Sequence, residues 1–62
     1  MNIKFDSSKF AANLKRIQER DPELASNIRT LLRRIDLIND YQDHERALRA
    51  LYRLTELLTT NP

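Results

Sequence analysis

The only histidine of this chain, His44, stands among three carboxylates in the run Asp40-Tyr41-Gln42-Asp43-His44-Glu45. Histidine alone has an ordinary pKa near neutrality, so it is the first residue to ask about proton transfer. The rest of the chain gives it nothing to work with. There is no cysteine to act as nucleophile or thiolate ligand, and no glycine from which to build a phosphate-cradling loop. One histidine cannot hold zinc alone. Ser7, Ser8 and Ser26 lack an evident base, and helix capping explains the first two. His44 therefore reads as a partly buried or helix-start residue. No catalytic residue, metal set, cofactor or small-molecule substrate is expected.

Cations are the second chemistry on offer. Arg46, Arg49 and Arg53 form a helical stripe, while Lys9, Lys15 and Arg16 lie in a basic N-terminal third. Guanidinium forks suit phosphate, which makes these six the candidate nucleic-acid contacts. The plainer reading is a solvated face laced with ion pairs, since Glu45 precedes Arg49 by four residues, Glu56 follows Arg53 by three and Asp36 follows Arg33 by three. Net charge is +3 over residues 1–20, zero over 21–38 and −1 over 39–62, a modest excess beside the phosphate contacts that strong binding requires.

Those side chains need elements to position them. Leucine, arginine and alanine abound while glycine and valine are absent, a balance that favours helix over sheet. Asp6, Ser7 and Ser8 are cap residues, and Phe10, Leu14 and Ile17 recur on one face, predicting a first helix over 7–20. Asp21-Pro22 restarts the chain, because proline suits the first helical position and disfavours helix at the residue before it. Leu24, Ile28, Leu31, Ile35 and Ile38, widened by Ala25 and Leu32, predict a second helix over 22–38. Asp40 and Asp43 compete to cap a third over 43–58, whose buried face is Ala47, Leu48, Leu51, Leu54 and Leu58, broadened on one side by Ala50 and Leu57. Residues 1–5 and 59–62 are expected to be flexible ends, though Ile3 and Phe5 form an arm able to tuck into a helical core.

Three large side chains fall off these seams: Leu37, Tyr41 and Tyr52. Leu37 and Tyr41 share a face if the second helix reaches that far. A patch of such residues marks a partner surface, so these three are the candidate partner-binding residues.

The segment Arg34-Ile35-Asp36-Leu37 is similar to the Arg-x-Asp-Leu signature of death-effector domains over four residues. Those domains have six helices and 62 residues accommodate about half of them, so their properties are not transferred. A two-helix hairpin with a basic surface also resembles, in architecture alone, small dimeric plasmid RNA-binding regulators.

The expectation is one all-α domain, a short N-terminal helix followed by an antiparallel helical hairpin, in place of the steeply crossed pair of a helix-turn-helix. So small a chain buries little apolar surface, which favours self-association. The expected role is a cytoplasmic regulatory or adaptor protein acting through protein contacts, as a homodimer. The alternative is a dimeric nucleic-acid-binding regulator. No secretory signal and no membrane segment is expected.

Overall fold

The computed structural model describes residues 4–60. They fold into α1 (Ser7–Arg20), α2 (Pro22–Ile35) and α3 (Tyr41–Thr60), with no strand among the described residues. Each start is an aspartate cap. The Asp6 carboxylate accepts from the amides of Ser8 (3.0 Å) and Lys9 (3.1 Å), and that of Asp21 accepts from Leu24 (3.1 Å) with Pro22 in the first turn. Asp21 also closes α1, its own amide donating to the Ile17 carbonyl at 2.7 Å, so one residue forms the whole α1–α2 joint. Asp40 outcompetes Asp43 for α3. Its carboxylate accepts from the Asp43 amide at 2.9 Å and its carbonyl from the His44 amide at 2.9 Å.

Side-chain contacts fix the topology. Asn13 of α1 meets Thr55, Glu56 and Thr59 of α3, while Ile17 and Arg20 line a depression with Leu58 and Thr59, so α1 and α3 run parallel. Gln18 accepts from Arg29 at 2.7 Å, and Leu24 borders the end of α1, so α2 runs back against α1. His44 sits 3.3 Å from Asp36 at one end of the α2–α3 pair, and Leu24 and Leu58 line one depression at the other. The helices thus go up, down and up, and α2 lies alongside α3 as an antiparallel hairpin.

The core gathers Phe10, Ile17, Ala25, Ile28, Ile35, Leu51 and Tyr52. Phe5 closes one end as an arm, its ring centroid 5.6 Å from both Phe10 and Tyr52. Such tilted and edge-on contacts add to the area they bury. Ile3 lies outside the described residues.

Several boundaries differ from expectation. α2 stops at Ile35 rather than Ile38, because the chain unwinds through tight turns, Leu37 amide to Arg34 carbonyl and Ile38 amide to Ile35 carbonyl. Without glycine the exit is made with no positive-φ residue among the described ones. α3 starts two residues earlier, since Asp40 is the cap, and continues through Thr59 and Thr60, expected to fray. Their hydroxyls bond back to the carbonyls of Thr55 (2.9 Å) and Glu56 (2.8 Å), a geometry open to threonine in helices.

Candidate functional site

Of the three residues expected to face a partner, Tyr52 is misplaced by the sequence: it is 4 % exposed and belongs to the core. The expected α3 face was drawn for one neighbour, α2. α3 has two, and Tyr52 lies on the flank turned toward α1, against Phe5. The cost of the wider interface falls on the opposite flank, where Leu54 is exposed although it was assigned to the buried stripe. Leu31 and Ile38, assigned to the seam of the second helix, are likewise exposed.

Burying a phenol requires a partner for its hydroxyl. Tyr52 donates to Glu56 Oε1 at 3.1 Å, and the other oxygen of Glu56 accepts from Asn13 Nδ2 at 3.0 Å. The same amide reaches Thr55 Oγ1 at 3.3 Å, and Thr55 donates to the Tyr52 carbonyl at 2.7 Å. Thr59 Oγ1 lies 3.4 Å from Asn13 Oδ1. Every buried side-chain polar atom among the described residues has a partner. Burial, then the hydrogen bond to Glu56 and the charges of Glu56 and Asp6, push the Tyr52 phenol above its ordinary pKa. This network sets the register of α1 on α3. It is a structural joint, with Tyr52 and Glu56 at the edge of one surface depression and Thr59 at the edge of another.

Leu37 and Tyr41 stand at the α2–α3 corner, 78 % and 72 % exposed. They do not share a helical face, because α2 ends before Leu37 and Tyr41 opens α3. The corner itself is held by the Asp40 cap and by His44 Nε2 with Asp36 Oδ1 at 3.3 Å. His44 is half-buried, with its carboxylate partner on the solvent side.

The cations behave differently from the ion-paired face the sequence suggested. Among the described residues, no lysine or arginine lies within 4.0 Å of a carboxylate oxygen, and His44–Asp36 is the one acid–base pair found. Asp36 is drawn to His44 rather than Arg33, and Glu56 is turned inward by Asn13 and Tyr52 rather than toward Arg53. Lys9 and Arg16 fall on the α1 edge that Asn13 marks as facing α3, four residues before it and three after. Arg49 and Arg53 precede Glu56 by seven and three residues on the facing edge of α3. Lys15 lies on the other flank of α1, and Arg46 extends the α3 row past the start of α1. Sequence reasoning missed Lys4 and Arg20 on this edge. Lys4 borders a depression with Tyr52, Arg53 and Glu56, and Arg20 borders another with Arg16 and Leu58. Both belong to the basic N-terminal third of the sequence, but only the parallel run of α1 and α3 shows that they share an edge with α3.

Among the described residues, no group of three or more histidines or acids is placed to hold a metal ion, and no helix is long and apolar enough to cross a membrane. Comparison with protein-family models, curated proteins and solved structures gives no match, so the functional reading rests on the chain's own surface.

Proposed function

We propose that this chain is a small non-enzymatic interaction module, a regulatory or adaptor protein of the cytoplasm that works through protein–protein contacts and pairs with a second copy of itself. The observation that supports this reading is a second apolar stripe on α3. Ala47, Ala50, Leu54 and Leu57 recur at three, four and three residues, and the last three are exposed. That is the a/d spacing with which one helix packs along another. Tyr52, Thr55 and Thr59 already serve the core from a different flank; Ala47 at the start of the stripe packs against that core, and Ala50, Leu54 and Leu57 are left exposed. Leu31, on α2, is likewise exposed.

Pairing through α3 leaves Leu37 and Tyr41 at the corner for a different protein. Sedimentation equilibrium tests the pairing. The wild type is expected to dimerise, and Leu54→Asp/Leu57→Asp to be monomeric with its helicity retained. A wild-type chain that stays monomeric at about 100 μM, weaker than any physiological dimer worth about 5.5 kcal/mol, would remove the reading.

A further inference from the structure

We infer that the edge along which α1 meets α3 binds the sugar–phosphate backbone of a nucleic-acid duplex. Lys9, Arg16 and Arg20 stand four residues before and three and seven after Asn13, the residue that touches α3. They make one exposed row. Arg49 and Arg53 make a second row beside Glu56, and Lys4 joins them at the depression it shares with Arg53. Because α1 and α3 are parallel, the two rows follow one line in a stagger, Arg53 near the level of Lys9 and Arg16 and Arg20 further along beside Leu58 and Thr59. Six of the chain's 11 lysines and arginines thus gather on one edge of a molecule whose net charge is only +2.

The carboxylates on this edge are occupied or outnumbered. Asp6 spends its charge on the amides of Ser8 and Lys9, and Glu56 accepts from Asn13 and Tyr52. Glu19 borders the depression of Arg16 and Arg20 without approaching either within 4.0 Å. Arginines lacking intramolecular partners keep both fork donors available for phosphate oxygens.

Geometry and chemistry choose the kind of anion. From Lys9 to Arg20 the row rises about 16 Å, the axial span of four or five phosphates on one strand of a duplex. Between the rows stand Glu56 and Thr60, with Leu57 bordering the depression that Lys4 and Arg53 share. Tyr52, the aromatic nearest the rows, is turned into the core, so unpaired bases have no stacking platform. What remains is recognition of charge and backbone shape, without base readout.

The test is fluorescence anisotropy with a labelled duplex DNA of about 20 base pairs, the matching RNA duplex and the matching single strand, over a salt series. The expected result is duplex binding with a log–log salt slope of about −4, from four phosphate contacts. Arg49→Gln/Arg53→Gln and, separately, Arg16→Gln/Arg20→Gln should each flatten the slope by about two. Arg33→Gln/Arg34→Gln, which loses the same charge from α2, should leave affinity within about twofold. All of these side chains are exposed, and circular dichroism verifies that each variant is folded. Whichever duplex binds tighter identifies the natural source of the backbone. Absence of binding at low salt, equal loss in the α2 variant, or preference for the single strand or for polyglutamate would each overturn the inference.

Discussion

Replacing Asn13 with alanine tests how α1 is held on α3. The amide is 7 % exposed and donates to Glu56 Oε2 at 3.0 Å and Thr55 Oγ1 at 3.3 Å. A hydrogen bond to a carboxylate is worth about 1.5–3 kcal/mol and a neutral one about 1 kcal/mol. The loss stops short of a full desolvation penalty, because Glu56 keeps Tyr52 and Thr55 keeps the Tyr52 carbonyl. Alanine also recovers roughly 0.5 kcal/mol of helix propensity. The net destabilisation is therefore about 2–3 kcal/mol, a large part of the roughly 3–9 kcal/mol available to a chain this long. Thermal unfolding followed by circular dichroism, at fixed protein concentration, should show Tm lower by about 10–20 °C. A double-mutant cycle with Glu56→Ala should return a coupling of at least about 1 kcal/mol. A Tm drop under about 3 °C, with coupling within about 0.3 kcal/mol, would refute the claim that this network holds the α1–α3 register.

Three further outcomes follow from the same structure. The Tyr52 phenol is pushed upward in the folded state, so above its ordinary pKa of 10.0 the unfolded chain loses this proton first, and stability falls as pH rises through that region. Tyr52→Phe should flatten the alkaline decline seen in urea melts between about pH 9 and 11, and an unchanged decline would contradict it. Asp40→Ala should cost about 1 kcal/mol in urea unfolding and Asp43→Ala less, because Asp40 makes the capping bond; the reverse order would reassign the start of α3. Leu37→Asp should leave Tm within about 2 °C, its side chain being 78 % exposed, yet abolish capture of a protein partner, and retained capture would clear Leu37 of that role.

Helix number and type were legible because the local signals agree. Asp21-Pro22 stops one helix and starts the next, and the apolar spacing of the first helix points inward as read, whereas the second turns Ala25, Ile28 and Ile35 inward and leaves Leu31 and Ile38 exposed. Phe5 as an arm was legible from its position before the Asp6 cap. What escaped was the width of the α3 interface. A helix between two neighbours buries two flanks, and the sequence alone does not say that α1 returns parallel to α3 and covers Tyr52. The same ignorance hid Lys4 and Arg20, whose relevance depends on that parallel placement. Ion pairing was over-read for a related reason. Helical spacing placed Asp36 near Arg33 and Glu56 near Arg53, but His44 claimed the first carboxylate, and Asn13 of α1 with Tyr52 one turn back on α3 claimed the second. The helix end at Ile35 escaped because an apolar residue in register at Ile38 says nothing about the turn the chain must make beforehand.

Pairing through the outer stripe of α3 is most directly tested by a spin-label distance measurement. Arg53 flanks the stripe near its middle, so labels on Arg53→Cys approach one another whether two α3 helices pack parallel or antiparallel. With helix axes about 8–10 Å apart, the interlabel distance should peak below about 30 Å, and Leu54→Asp should erase the peak. A well-defined dimer with labels more than about 40 Å apart, or no intermolecular coupling at a concentration where the protein is folded, would contradict pairing by this face.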